Sequence, residues 1–139
     1  MVTLSPRRQG DLGEISAIEW LSAQEHSIYL PLGHSPHCDL IAEKTGILMR
    51  VQVKTCTVFR GGRWEVTLCT RGGNQSWNGL VKHLDPKQID YLFVLVGDGR
   101  RWFIPAGAVA GGTGILLGGP KYAGFEVDSG RPLPSRDEV

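Results

Sequence analysis

Three polar residues in an otherwise apolar part of the chain have the types and spacing needed for chemistry on a bound cation. They are Asp39, Gln52 and Lys54, and they lie in the stretch CDLIAEKTGILMRVQVKTCTV, residues 38–58. Carboxylate and amide oxygens are ligands for a hard divalent ion such as Mg²⁺, and a lysine ammonium can hold a phosphate. Such chemistry requires a fold that brings the three side chains together.

The same stretch predicts a β-hairpin that would do so. If the chain reverses at Thr45 and Gly46, residues whose numbers sum to 91 face each other, so Asp39 lies opposite Gln52. Alternation then places Asp39, Gln52 and Lys54 on one face of the hairpin. That face also carries Glu43, Arg50 and, as an exception, Ile41, whereas the predicted core face carries Cys38, Leu40, Ala42, Met49, Val51 and Val53.

Two other interpretations of this hairpin stay open. The polar face could simply meet water, as one face of an antiparallel sheet commonly does. A G1 bulge at the turn would shift the register and separate Asp39 from Gln52.

A second carboxylate, Glu14, lies on the core-facing stripe of a helix predicted over residues 11–26. The stripe consists of Ile15, Ile18 and Leu21. A carboxylate on such a stripe favours a cation as its partner, which makes Glu14 a candidate third ligand. The D-x-x-E spacing from Asp11 offers another role, in which Asp11 caps the helix and Glu14 bonds back to its amide.

Zinc is the less favoured ion. The segment HSPHCD offers His34, His37 and Cys38 within five residues, but no second pair of ligands follows it. The alternation also places Cys38 on the face opposite Asp39. A structural zinc site is therefore an alternative with weaker support than the oxygen-ligand site.

Composition limits the class of protein. A chain of 139 residues with a formal charge of +1 predicts one domain and excludes a polycation that binds nucleic acid through its overall charge. The three cysteines form no CxxC pair and follow no secretory leader, which favours free thiols in a reducing cytosol. The longest apolar runs, such as YLFVLV, are too short to cross a bilayer.

The order of predicted elements is a helix, strands, a polar loop and further strands, which indicates an α+β fold with a mixed sheet. Strands are predicted in SIYLPLG, CDLIA, GILMRVQVKTCTV, RWEVTLCT, IDYLFVLVGDGRRWFIP (a hairpin), GILLGG and GFEV, and a single helical turn in PAGAVAGG. We expect a flexible lead-in over residues 1–10, one domain over residues 11–129 and a flexible tail over residues 130–139.

The site residues resemble the motif of the PD-(D/E)XK nuclease superfamily, an Asp followed after about a dozen residues by acid-x-Lys on a strand. Here Asp39 precedes Gln52-Val53-Lys54. The segments GEISAIEWL, YLPLGHSPHCDLI, RVQVKT and IDYLFVLV are similar to the branch of group I intron-encoded homing endonucleases, in which Gln can replace the second acid. The resemblance covers about residues 11–127 and implies an α/β/α-like restriction-endonuclease core.

Two positions depart from the motif. The proline that the motif places beside the Asp is missing, and Pro36 lies three residues before Asp39. Gln52 gives the site one negative charge fewer than an acid would, which predicts weaker binding of the metal.

The resemblance implies a DNA endonuclease that uses Mg²⁺, with Mn²⁺ as a substitute. Asp39 and Gln52 would hold the ion, and Glu14 would bind it directly or through water. Lys54 would hold the attacked phosphate and orient water. We expect Lys54 to stay protonated near pH 7, because negative neighbours raise the pKa of a lysine.

DNA contacts are predicted in the polar, glycine-rich loop TRGGNQSWNGLVKH. Its candidate contact residues are Arg71, Asn74, Gln75, Trp77 and Lys82. The arginines Arg60, Arg63, Arg100 and Arg101 are predicted at hairpin tips, where contact with solvent is favoured over contact with phosphate. One site cuts one strand, so we expect a homodimer or larger homo-oligomer, acting in the cytoplasm on nucleoid DNA and not on a membrane.

Three function classes therefore remain open. The first is a Mg²⁺-dependent DNA endonuclease, either site-specific in the homing manner or specific for junctions in the manner of resolvases. The second is a catalytically inactive module that keeps the nuclease fold and binds nucleic acid, which the neutral Gln52 keeps open. The third is a small structural or protein-interaction domain whose polar strand face only meets water.

Overall fold

The computed structural model describes residues 4–34, 37–71 and 81–134. Its elements are helix α1 (Pro6–Ala23), strands β1 (Ser27–Tyr29), β2 (Leu40–Lys44), β3 (Ile47–Cys56), β4 (Phe59–Arg60), β5 (Arg63–Thr67), β6 (Thr70–Arg71), β7 (Val81–Lys82), β8 (Tyr91–Val96), β9 (Arg101–Pro105), β10 (Gly114–Leu117) and β11 (Glu126–Val127), and 3₁₀ turns at Ala106–Ala108 and Ala123–Phe125. No helix in these ranges is both long enough and apolar enough to span a membrane.

Helix α1 begins earlier than the sequence predicted. The side chain of Ser5 caps it by accepting from the amide of Arg8 at 3.2 Å, and Pro6 occupies the first turn, where its missing N–H costs nothing. The predicted cap at Asp11 is therefore wrong. Because Asp11 lies inside the helix, Glu14 does not belong to a capping box with it. Residues 6–10 of the predicted lead-in are helical.

The buried stripe of α1 is also displaced from the predicted one. Its fully buried members are Gly13, Ala17 and Leu21, spaced four residues apart, whereas the side chain of Ile15 is 59% exposed. Four-residue spacing keeps the three on one face of the helix. Glu14 lies at the edge of this stripe and is half-buried.

The main sheet has six strands in the order β1-β2-β3-β8-β9-β11. Strands β3 and β8 run parallel, and the other neighbouring pairs are antiparallel. The predicted α+β fold with a mixed sheet is confirmed. The predicted turn is confirmed as well, because Thr45 (φ 52°) and Gly46 (φ 83°) both have the positive φ that a two-residue hairpin turn of the primed type requires.

Both faces of the main sheet are covered. One face packs on α1 through a cluster that contains Ala17, Leu21, Leu40, Ala42, Val51, Phe93, Leu95 and Leu133. On the same side, Trp20 contacts the rings of Phe93 and Phe103, with centroids 6.3 and 5.1 Å apart. Helix α1 therefore packs directly on strands β2, β3 and β8, and β3 carries Gln52 and Lys54.

The other face is covered by a three-stranded sheet in the order β10-β5-β4. Its inward side chains join those of the main sheet in a second cluster, which includes Trp64, Val66, Leu68, Leu92, Val94, Val96, Ile115 and Leu117. Gln52 and Lys54 lie beside Leu92 and Val94 in the parallel register of β3 and β8, and so they point to this covered side. The interpretation of a face that simply meets water is wrong here.

The described part of the predicted tail packs against the domain. The amides of Gly130 and Leu133 donate to Gly99 and Gly97, at 2.8 and 3.1 Å, and the side chain of Leu133 is buried. Arg101 lies beneath this segment and is 3% exposed, so the prediction of a solvated hairpin tip is wrong for it. Its guanidinium bonds to α1 through Ser16 and Glu19, and to the tail through the carbonyls of Asp128 and Ser129.

Candidate active site

The hairpin β2–β3 keeps the predicted register over its described pairs. Leu40 pairs with Val51, and the pairing continues to Lys44 opposite Ile47. At Asp39 the pattern shifts by one residue, because its amide donates to the carbonyl of Val51 at 2.9 Å. Asp39 and Leu40 thus both face Val51, the two-against-one arrangement of a β-bulge.

This bulge corrects two predictions. Asp39 does not lie directly opposite Gln52; instead its Oδ2 atom accepts from the amide of Val53 at 2.7 Å. Cys38 does not share the core face of Leu40 but packs against the cluster on the other side of the sheet. The alternation rule fails at this point because a bulge re-aims the side chains that precede it.

The carboxylate of Asp39 is held in a restrained and partly dehydrated position. Its Oδ1 atom makes no hydrogen bond to the residues that the structure describes. Burial raises the pKa of Asp39, although the amide of Val53 and the charge of Lys54 both act to lower it. One carboxylate oxygen is therefore fixed by the backbone while the other is left for a further partner.

The side-chain amide oxygen of Gln52 has no hydrogen-bond partner among the described residues. This Oε1 atom is also buried. Such an orphan oxygen is expensive in a folded protein and calls for an explanation, of which an absent ion is one. An amide oxygen is also a ligand that Mg²⁺ accepts.

Lys54 lies two residues further along β3, on the same covered side as Gln52. Burial lowers its pKa, and the charges of Asp39 and Cys69 offset only part of that effect. The negative neighbours act in the predicted direction, but burial outweighs them, so the predicted net rise in the pKa of Lys54 is wrong. Lys54 points to the face of the main sheet that the three-stranded sheet covers, and the sequence prediction left this burial out.

Glu14 lies on helix α1, which packs on the sheet face opposite the one to which Gln52 and Lys54 point, and among the site residues it is the charge of Asp39 that acts on it. Burial raises its pKa first, and the negative charges of Asp39 and then of Asp11 raise it further. The helix is seated here by Gly13, since a Cβ at that position would lie 2.4 Å from Thr55 Cγ2 and 3.2 Å from Val53 Cγ1. The residue before Glu14 therefore touches the two residues that flank Lys54.

Asp39, Glu14 and Gln52 carry oxygen atoms of the kind that a hard divalent cation takes as ligands. These atoms belong to the Asp39 and Glu14 carboxylates and to the amide of Gln52, whose oxygen is unpaired among the described residues. Burial is the main cause of the raised pKa of both acids, and the charge of Asp39 adds to it at Glu14. Within the described ranges, no three His, Cys, Asp or Glu residues are grouped so as to hold a metal.

The structure describes only part of the loop in which DNA contacts were predicted. Arg71 and Lys82 belong to the paired strands β6 and β7, whose register is Thr70 with Lys82 and Arg71 with Val81. Asn74, Gln75 and Trp77 lie outside the described residues. Strand β6 follows β5 after two residues, Leu68 and Cys69. Cys69 is close enough to Lys54 for a charge on its thiol to act on the lysine.

Comparison with known proteins points to one family and one fold. A sequence model described as PD-(D/E)XK endonuclease matches residues 4–112. The structure of a bacterial homing endonuclease, I-Ssp6803I, superposes with a TM-score of 0.68 over 89% of this chain and 88% of that chain, at 22% sequence identity. At that identity the likeness is one of fold. None of the curated proteins matches the sequence.

Proposed function

The chain belongs to the PD-(D/E)XK endonuclease family, and we propose that it is a Mg²⁺-dependent endonuclease that hydrolyses phosphodiester bonds in DNA. The family predicted from Asp39 and Gln52-Val53-Lys54 is thereby confirmed, as is the fold likeness to a homing endonuclease. The proposal goes further in naming the metal, the substrate and the residues. The observation that supports it is the buried, unpartnered Oε1 of Gln52, next in sequence to Val53, whose amide fixes the carboxylate of Asp39.

Asp39 and Gln52 would hold the ion, with Glu14 as the third ligand, directly or through water. When bound, Mg²⁺ would polarise the phosphodiester, lower the pKa of a coordinated water and neutralise developing charge. Mn²⁺ would substitute, since it takes the same oxygen ligands. The hydrogen bond from Val53 to Asp39 Oδ2 keeps one oxygen of that carboxylate turned towards β3 and so leaves Oδ1 as the ligand atom.

Lys54 would hold the attacked phosphate and orient the water. Its ammonium group donates up to three hydrogen bonds, and a partly buried cation acts more strongly on a phosphate than an exposed one. The burial that lowers its pKa is also the condition that a role as general base requires. The pH dependence of cleavage distinguishes the two roles of Lys54.

Two further parts of the proposal follow from geometry and fold. A single site cuts one strand, so a double-strand cut requires two copies of the chain, and we propose a homodimer or larger homo-oligomer. The β6–β7 hairpin, which carries Arg71 and Lys82, is proposed as a DNA-contacting element because it follows Cys69 beside Lys54. The fold likeness favours site-specific cleavage of the homing type over cleavage of junctions.

The test is cleavage of supercoiled plasmid and of a four-way DNA junction, with Mg²⁺, with Mn²⁺ and with EDTA. We expect metal-dependent nicking by the parent protein and its loss in Asp39→Asn and Lys54→Ala. Lys44→Ala, which removes an exposed lysine from the other end of the same hairpin, serves as the matched control. DNA binding with no cutting at any metal concentration would instead identify an inactive binding module, the alternative that Gln52 leaves open.

A further inference from the structure

The three-stranded sheet β10-β5-β4 has a second face, turned away from the core, which the site described above does not use. It carries an open cleft of about 730 Å³. The residues that matter for its chemistry are Arg63, Glu65, Thr67, Thr113, Gly119 and Lys121. The cleft thus presents guanidinium, ammonium and hydroxyl groups, and Gly119 exposes its backbone there. Proteins contact DNA phosphates through groups of these kinds.

Arg63 is the most distinctive of these groups. A Cβ on Gly119 would lie 2.4 Å from its Nε atom, so the guanidinium lies across a glycine that leaves room for it. Its hydrogen bond is to the carbonyl of Gly62 at 3.1 Å, and it has no carboxylate partner among the described residues. Most of its five donors are therefore unused on a half-buried and positioned side chain.

Four arginines differ from Arg63 in this respect, whereas Arg7, Arg8 and Arg131 likewise form no ion pair with a described carboxylate. Those at positions 50, 60, 100 and 101 are each paired with a carboxylate, namely Asp90, Glu65, Glu126 and Glu19. Because Arg60 neutralises Glu65, the acid of the cleft, the charges of Arg63 and Lys121 are left in excess. Lys121 is exposed, with Nζ 5.4 Å from the ring centre of Tyr122. The cleft is therefore locally positive although the chain is nearly neutral.

The cleft is connected to the candidate active site along the chain. At one end, the carbonyl of Thr113 accepts from the amides of Leu68 and Cys69, at 2.9 and 3.4 Å, and Cys69 neighbours Lys54. Along β5, the six residues from Cys69 back to Arg63 span about 20 Å at the rise of an extended strand. Since base pairs are stacked 3.4 Å apart, that length corresponds to roughly six base pairs of duplex.

We propose that the cleft of Arg63 and Lys121 binds the phosphate backbone of the DNA duplex, about half a helical turn from the bond that is cut at Lys54. The inference rests on the proposed function and extends it to a second contact surface. For Arg63, the sequence favoured contact with solvent over contact with phosphate, and the proposal reverses that preference. The positive groups would fix the position of the duplex without reading its sequence.

The experiment measures binding of a fluorescein-labelled duplex of about 30 base pairs, roughly three helical turns, with Ca²⁺ in place of Mg²⁺ to prevent cutting. The dissociation constant is measured against salt concentration for the parent, Arg63→Ala, Lys121→Ala and Gly119→Ala. The last variant keeps every charge, but its methyl group would displace the guanidinium of Arg63. Lys44→Ala is the control for loss of one positive charge elsewhere, and thermal melting establishes that each variant is folded.

We expect the slope of log affinity against log salt to fall by about 0.9 for each phosphate contact removed, so that the loss of affinity between 50 and 200 mM salt becomes about threefold smaller. Gly119→Ala should weaken binding in the same direction as Arg63→Ala, and Lys44→Ala should not. If the parent binds DNA but the cleft variants keep its affinity and slope, the cleft inference is wrong and the proposed function stands. A parent protein that neither binds nor cuts DNA overturns both.

Discussion

The side chain of Asp39 bonds to the backbone of Val53, with Oδ2 accepting from the amide at 2.7 Å. Strand β2 begins at Leu40, so it does not extend far enough to pair with Val53 of β3. The carboxylate of Asp39 accepts the hydrogen bond of that amide instead. The same contact aims the carboxylate at the stretch of β3 that carries Gln52 and Lys54. A structural hydrogen bond and a ligand atom are thus supplied by one side chain, and the two roles can be separated by mutation.

Asp39→Asn and Asp39→Ala should behave differently in stability and alike in activity. Asn keeps an acceptor for the amide of Val53, whereas Ala leaves that amide unpaired, at a cost of about 1–3 kcal/mol. Both remove the charge that a cation needs, so cleavage should fall on the order of 10²-fold or more. Urea unfolding in EDTA and plasmid nicking in Mg²⁺ measure the two effects.

Ionisation of Asp39 lowers the stability of the folded protein. Its pKa is raised above 3.8, so the stability that it contributes is present below that pH and is lost as pH rises through the folded value. At neutral pH without metal, Asp39→Asn should therefore be at least as stable as the parent. A clear loss of stability in the Asn variant would contradict the account of a dehydrated, uncompensated carboxylate.

Lys54→Met should stabilise the protein and inactivate it. The pKa of Lys54 is lowered from 10.5 by burial, so its contribution to stability is present above that pH and is lost as pH falls through the folded value. The gain in the free energy of unfolding from Met should be largest near neutral pH and should vanish as pH approaches about 10.5. Cleavage should fall by about 10²–10³-fold, as on removal of one stabilising donor.

Gln52→Glu should strengthen metal binding by roughly tenfold, or about 1.4 kcal/mol, because it adds a negative charge to the ligand set. In EDTA the same variant should be less stable, since three carboxylates would then repel one another. Calorimetric titration with Mg²⁺ measures the affinity. Gln24→Glu makes the same charge change at an exposed position after the helix and should leave the affinity unchanged.

Gly13→Ala tests how α1 is seated. Helix propensity alone favours Ala by about 1 kcal/mol, but the contact of its Cβ with Thr55 Cγ2 should cost about 1–3 kcal/mol and displace Glu14. Thr55→Ser removes that methyl group and should restore both stability and cleavage in the double variant. Gly10→Ala is the control, because nothing lies within 4 Å of a Cβ there, and it should stabilise.

The hairpin could be predicted because its signals are local. Thr45 and Gly46 indicate a turn, and alternation of apolar residues sets the register that the pairing of Leu40 with Val51 confirms. The motif Asp39, Gln52 and Lys54 could then be located by spacing. The bulge at Asp39 could not, because it depends on where the partner strand ends.

Burial of charged groups was the main failure of prediction. Lys54 points to the face of the main sheet that the three-stranded sheet covers, a burial that the prediction left out. Arg101 looked like a tip residue, yet it is enclosed by α1 and by the carbonyls of Asp128 and Ser129. The start of the helix was missed for a different reason. Ser5-Pro6 is a recognisable helix start, but few apolar residues follow it, so the residues after it showed no helical pattern.

The parallel pairing of β3 with β8 has a consequence for engineering. Adjacent parallel strands need a long crossover, and here residues 57–90 supply it, carrying β4 to β7. The covering sheet is nevertheless completed by β10, whose Gly114–Leu117 pairs with β5 from the far side of the β8–β9 hairpin. An exchange of the covering sheet between relatives would therefore have to move two separate chain segments together, because the crossover alone would lack β10, the third strand of that sheet.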